Sequence, residues 1–289
     1  AGAWASGTPF NTGRAQMGCA GDTSTAVIFG GDTGGPAPAL CEAWNGTAWT
    51  ETTNIPTGAF RATGLGTSTA AVSVGGTPSP TVGVQANKWD GTSWSVTGSL
   101  NNSRGSMGSA GTTTAGMVFG GGDYSAETET FDGTSWTEVA DLNLARHAGA
   151  STTKGTTTAA MYSGGSTGPS PPTRRTPNSE TWDGTSWSEG NNLTTSRGVL
   201  AGCGITTAAM AFGGGYPGTT RVAVTETYNG TSWTEVADLA SAANWPGGIG
   251  AAATSAFCVG GNTDAAPNGS TNAEEWADPA YTNKTVTVS

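Results

Sequence analysis

Short apolar runs recur along the chain, and each closes on a pair of glycines. Ala26-Val-Ile-Phe29 runs into Gly30-Gly31, and Ala115-Gly-Met-Val-Phe119 runs into Gly120-Gly121. The other pairs are Gly75-Gly76, Gly164-Gly165, Gly213-Gly214 and Gly260-Gly261, so successive pairs stand 45, 45, 44, 49 and 47 residues apart. Runs of four or five residues are too short for helices and apolar on both faces, which predicts buried strands. No segment sustains a helical period.

Two further anchors keep step with the glycines. One is a turn flanked by aromatics: Trp44-Asn-Gly-Thr-Ala-Trp49, Trp89-Asp-Gly-Thr-Ser-Trp94, Phe131-Asp-Gly-Thr-Ser-Trp136, Trp182-Asp-Gly-Thr-Ser-Trp187 and Tyr228-Asn-Gly-Thr-Ser-Trp233, with a degraded copy from Trp276 to Tyr281. Asp-Gly and Asn-Gly tolerate positive φ and mark hairpins, across which the aromatics can pair. The other anchor is an arginine about ten residues on: Arg14, Arg61, Arg104, Arg146 and Arg197.

Each unit therefore reads as four strands. Strand a is rich in small residues, as in Met17-Gly-Cys-Ala20, and strand b runs into the glycine pair. Strand c ends on the first aromatic, and strand d starts at Trp49, Trp94, Trp136, Trp187 or Trp233. A repeat of about 45 residues with four short strands predicts an all-β, six-bladed β-propeller, four antiparallel strands per blade, in a single domain over 1–289. The sequence units run roughly 4–48, 49–93, 94–135, 136–186, 187–232 and 233–289. Closure stays open at this level. Trp4 and Tyr281 both align with the strand d tryptophans, so either Trp4 or the segment around Thr285–Val288 can complete the last blade.

The paired glycine, the aromatic before the turn, the tryptophan after it and the later arginine resemble a kelch repeat over nearly the whole chain. The phrases Gly133–Asn143 (GTSWTEVADLN) and Ala208–Gly214 (AAMAFGG) are also similar to kelch-like repeats in structural proteins of marine tailed phages. That resemblance implies a virion or extracellular location. The implied role is non-catalytic, in a tail fibre, spike or decoration protein. Its partners would be other virion proteins or a host-surface glycan, within a larger, oligomeric assembly. A secreted bacterial surface protein binding polysaccharide is the alternative, and a glycan-active enzyme is a third class.

Alternation of strand direction puts the a–b and c–d turns on one face and the d–a and b–c connections on the other. The c–d turns are nearly uniform, whereas the b–c loops differ in every blade. Loops on a rigid scaffold usually carry specificity. The candidate ligand-binding residues come from this variable face. Arg174 and Arg175 lie in a proline-stiffened loop and could clamp a carboxylate or phosphate. Tyr124 and Tyr216 are rings on which a sugar can stack. Asp32 and Asp264 are loop carboxylates. The five column arginines should ring the axial opening on this face. Being repeated, and matched by strand c glutamates (Glu42, Glu129, Glu180, Glu226, Glu274), they read as structural, as do the strand d tryptophans.

Composition narrows the chemistry. Net charge is −10 and the pI near 4.4, which disfavours nucleic acid as a partner. No apolar run reaches the roughly 18 residues of a membrane span. Only one histidine, His147, is present, so His-based triads, copper centres and zinc catalysis lack ligands. The expectation is no cofactor and no metal. A carboxylate pair stays open among the 21 acidic residues, with no two singled out. Cys19, Cys41, Cys203 and Cys258 share no column and no metal spacing, and read as buried thiols.

Overall fold

The computed structural model describes residues 2–77, 83–168, 175–215 and 220–278. Its strands form six four-stranded antiparallel sheets. Blade 1 is β2 (Gly18–Gly21), β3 (Ala26–Phe29), β4 (Cys41–Trp44) and β5 (Trp49–Glu51). Blade 2 is β6 (Thr63–Gly66), β7 (Ala71–Val74), β8 (Ala86–Trp89) and β9 (Trp94–Val96). Blade 3 is β10 (Gly108–Gly111), β11 (Gly116–Phe119), β12 (Thr128–Phe131) and β13 (Trp136–Val139). Blade 4 is β14 (Ala150–Ser151), β15 (Ala160–Ser163), β16 (Ser179–Trp182) and β17 (Trp187–Glu189). Blade 5 is β18 (Ala201–Ile205), β19 (Ala208–Phe212), β20 (Thr225–Tyr228) and β21 (Trp233–Glu235). Blade 6 joins β22 (Gly247–Ala252), β23 (Ser255–Val259) and β24 (Ala273–Ala277) to β1 (Ala3–Ser6).

This last sheet decides the closure. β1 pairs with β24 in the register Trp4↔Trp276, so the N-terminal segment is strand d of blade 6. Blade 6 is thus woven from both ends of the described chain. The innermost strands touch in the order β2, β6, β10, β14, β18, β22 and back to β2. No helix long and apolar enough to cross a membrane occurs among the described residues.

Crowding at the axis explains why strand a is built of small residues. A Cβ on Gly64 would lie 2.2 Å from the Cys19 carbonyl oxygen of the neighbouring blade. The glycine pairs answer a second demand. Gly30 and Gly31 hold φ of +63° and +106°, and a Cβ on Gly30 would meet the Ala59 carbonyl oxygen at 2.2 Å. These are left-handed conformations that other residues adopt only at a cost.

Outside the axis, aromatics tie blade to blade. Each c–d hairpin pairs two rings, as in Phe131–Trp136 at 4.7 Å and Trp89–Trp94 at 5.2 Å. The strand d tryptophan then reaches into the preceding blade, edge-on to a strand b phenylalanine: Trp94 to Phe29 at 5.1 Å and Trp187 to Phe119 at 4.8 Å. At the turn itself the aspartate or asparagine oxygen caps two backbone N–H groups, as Asp183 Oδ1 does for Thr185 and Ser186. Those bonds hold the Asp183 carboxyl at about 2. Asn45 and Asn229 make the same caps without a charge.

The four cysteines are free and buried. Burial pushes the thiols of Cys19, Cys41 and Cys203 up to about 12, and that of Cys258 well above its usual range. Reactivity follows the thiolate. Native protein at pH 8 is therefore expected to react slowly with a disulfide-exchange reagent, with all four thiols labelled together on unfolding. Rapid labelling of the native protein would contradict this.

Candidate functional site

Four of the arginines singled out in the sequence are interior residues. Arg14 pairs with Glu42 at 2.9 Å and Arg197 with Glu226 at 2.9 Å, while Arg104 pairs with Glu129 and Arg146 with Glu180. Each pair lies within one blade, linking the start of strand a to strand c. Arg14, Arg146 and Arg197 are fully buried. The second carboxylate oxygen takes backbone N–H groups of the d–a loop: Asn11 on Glu42, Asn101 on Glu129, Asn143 on Glu180, Thr194 on Glu226. Burial draws the Arg14 and Arg197 guanidinium values down, with Glu42 and Glu226 opposing. These arginines do not line the axial opening; they staple the blades.

Arg61 belongs elsewhere. It stands 14 residues before its glycine pair, where Arg14, Arg104 and Arg197 stand 16 before theirs and Arg146 stands 18 before its own. The stapling position in blade 2 is Ala59, and strand c correspondingly carries Asn87 instead of a glutamate. Arg61 has φ of +62°, as do its counterparts within ten degrees: Gln16 (57°), Ser106 (56°), Ala148 (52°), Val199 (53°) and Trp245 (56°). These six residues, one per blade, circle the axis. Their backbones are joined at five of the six junctions, all but Val199 to Ala148: Arg61 N–H donates to Gln16 O at 2.8 Å, Ser106 N–H to Arg61 O at 2.8 Å, and Ala148 N–H to Ser106 O at 2.9 Å. Gln16 N–H donates to Trp245 O at 3.1 Å and Trp245 N–H to Val199 O at 2.8 Å, so the ring runs across the seam between chain ends.

The backbone of this ring repeats, but its side chains do not. Blades 3, 4 and 5 present Ser106, Ala148 and Val199. Blades 6, 1 and 2 present Trp245, Gln16 and Arg61, which form one continuous arc. Arg61 Nε donates to Gln16 Oε1 at 2.8 Å, and its guanidinium lies 5.3 Å from the Trp245 ring centre. Gln16 Nε2 donates to Asp32 Oδ2 at 3.2 Å, which joins Asp32 to the arc. The ring opens on an axial cavity of about 120 Å³. Arg61 is exposed, and no carboxylate pairs with it among the described residues.

A second cavity of about 130 Å³ shares Arg61 and Ser106 and reaches Asp123 and His147. Tyr124 stands beside it, its ring 4.7 Å from that of His147. The His147 Nδ1 lies 3.0 Å from the Gly122 carbonyl oxygen, and burial lowers the ring's pKa, so at neutral pH it is a neutral donor to that carbonyl. Asp264, also singled out in the sequence, pairs with Arg221 at 2.7 Å and lines neither cavity. Arg175 bridges to Ser166 through its backbone, on the same face. Arg174 and Tyr216 lie outside the described residues. Neither Gln16 nor Trp245 was among the sequence candidates for the site, and the spacing of 14 against 16 to 18 was the signal that set Arg61 apart.

No family model matches the chain, and no curated protein sequence matches it. Its fold is similar to a solved structure described as "Structure of YjhT", with a TM-score of 0.73, 14% identity, and coverage of 93% of this chain and 95% of that one. At that identity the likeness speaks for the fold alone. The chain is thus a six-bladed β-propeller with an asymmetric axial mouth formed by Trp245, Gln16 and Arg61, with Asp32 bonded to Gln16 behind it.

Proposed function

We propose that this protein is a non-catalytic recognition module displayed on a virion, and that its axial mouth takes an acidic glycan of the host surface. The observation that carries the reading is the exposed Arg61 guanidinium lying over Trp245 in a ring whose backbone is otherwise uniform. A guanidinium grips a carboxylate through two parallel hydrogen bonds. An indole beside it offers an apolar face to the C–H face of a sugar ring. Gln16 and Asp32 supply a donor and acceptors for hydroxyls. With a net charge of −10, attraction must come from this local cation and not from the overall field. The display on a virion rests on the resemblance of the repeat phrases to phage structural proteins.

The test is binding of the purified chain to sialylated, uronate-rich and neutral glycans. Acidic glycans are expected to be retained and neutral ones not. Arg61→Ala is expected to weaken retention at least tenfold, about 1.4 kcal/mol, within the range of charge-assisted bonds. Equal retention of neutral and acidic glycans, or an unaltered Arg61→Ala variant, would refute the mouth as the site. Mass spectrometry of purified particles tests the display separately, and absence of the chain from them would refute it.

A further inference from the structure

Arg61 stands between two spaces. The axial cavity of about 120 Å³ and its neighbour of about 130 Å³ share Arg61 and Ser106 in their walls. On the axial side the guanidinium has the Trp245 ring beside it. On the outer side the second cavity lies between the b–c loops of blades 2 and 3, bounded by Thr77, Asp123 and His147.

His147 is the chain's only histidine, and its ring is fixed from two directions. Tyr124 holds a left-handed φ of +64°, which costs an aromatic residue energy, and its ring centre lies 4.7 Å from that of the imidazole. The His147 Nδ1 donates to the Gly122 carbonyl at 3.0 Å, which leaves Nε2 as an acceptor. Burial keeps the ring neutral, against the opposing pull of the Gly122 carbonyl and the Asp123 charge.

The charges around this second cavity decide what it can hold. Arg104 lines it, but that guanidinium is already committed to Glu129, Glu127 and the Gly120 and Glu127 carbonyls. Asp123 is exposed and enters no ion pair among the described residues. Once Arg61 has taken one carboxylate, the second cavity therefore supplies no further cation, and Asp123 repels a second anion. It supplies acceptors instead, the Asp123 oxygens and His147 Nε2, beside the Ser106 hydroxyl. Such a set suits the hydroxyl groups of an uncharged sugar.

We propose that the second cavity is the adjoining subsite of the glycan site, so that the protein reads a two-residue unit. A uronate places its carboxylate on Arg61, and the neutral sugar next to it donates hydroxyls to Asp123 and His147. This inference rests on the reading of the mouth as an acidic-glycan site and narrows it. Chains that alternate acidic and neutral sugars fit, whereas a chain of uronate alone brings a second carboxylate against Asp123.

The experiment is calorimetric titration of the whole chain with three probes: methyl glucuronide, a hyaluronan tetrasaccharide (glucuronate alternating with N-acetylglucosamine) and tetragalacturonate. The alternating chain is expected to bind about tenfold more tightly than methyl glucuronide, and His147→Ala to remove most of that gain. Tetragalacturonate is expected to trail the alternating chain by about tenfold, and Asp123→Asn to narrow that gap to about threefold by removing the repulsion. An alternating chain no tighter than methyl glucuronide, or tetragalacturonate binding as tightly as the alternating chain, would overturn the second subsite and leave the mouth standing. A gain untouched by both His147→Ala and Asp123→Asn would overturn it too, placing the second sugar elsewhere. Methyl glucuronide that does not bind, or binds Arg61→Ala equally well, would overturn both readings. The wild-type comparisons decide the point even if His147→Ala fails to fold.

Discussion

Replacing Arg197 with alanine is expected to lower the free energy of unfolding by about 3–5 kcal/mol, the usual cost of removing one partner of a buried ion pair. Arg197 and Glu226 are both fully buried and 2.9 Å apart. The arginine also satisfies the Gly213 and Val224 carbonyls, and Glu226 anchors the d–a loop through the Thr194 N–H and hydroxyl. Alanine removes the cation and leaves the carboxylate, with the loop bonds as its only compensation. Most of the loss comes from that uncompensated charge, so removing it as well should help. Blade 2 shows the combination that the fold tolerates, Ala59 with Asn87. The double variant Arg197→Ala/Glu226→Asn is expected to recover at least 1 kcal/mol, about a fivefold change in the folding equilibrium, over the single variant. Urea unfolding of the wild type and both variants measures this. A double variant less stable than the single one would show that the pair contributes through shape and loop anchoring, not through charge balance.

Deleting residues 2–7 is expected to open the ring. β1 is the outer strand of blade 6, and among the described residues it alone covers the edge of β24. Trp4 packs 5.1 Å from Phe212 and 5.6 Å from Trp276, and its Nε1 donates to Thr225 Oγ1 at 2.9 Å, so it joins blade 6 to blade 5. Trp4→Ala alone is expected to cost about 3 kcal/mol, at the low end for a tryptophan because Trp4 is half-buried. The deletion adds the loss of the strand ladder and bares an edge carrying Trp276, which invites intermolecular pairing. The expected result is a fall in Tm of at least 10 °C with aggregation on size-exclusion chromatography. A monomeric deletion variant with unchanged Tm would show that β1 does not close the ring.

Blade number, strand order, hairpins and glycine pairs were legible in the sequence, because each depends on residues close together in the chain. An Asp-Gly between two aromatics makes its turn wherever it lies, and an apolar run before a glycine pair buries itself in each copy. What depends on pairing between distant segments was not legible. Trp4 and Tyr281 have equal claims as strand d by pattern, and only the ladder to Trp276 shows that Trp4 takes the place. Arg61 looks like a fifth member of the arginine column. Yet a shift of two residues carries its side chain to the rim, whereas four otherwise similar arginines are buried in the blade interior. The arc at the mouth is the furthest removed from sequence, since Gln16, Arg61 and Trp245 are neighbours only because the ring closes blade 6 against blade 1. The sequence by itself therefore determined the repeating unit, whose physics is local. Tertiary structure decided the seam and the mouth, because both exist only where the chain comes back to meet itself.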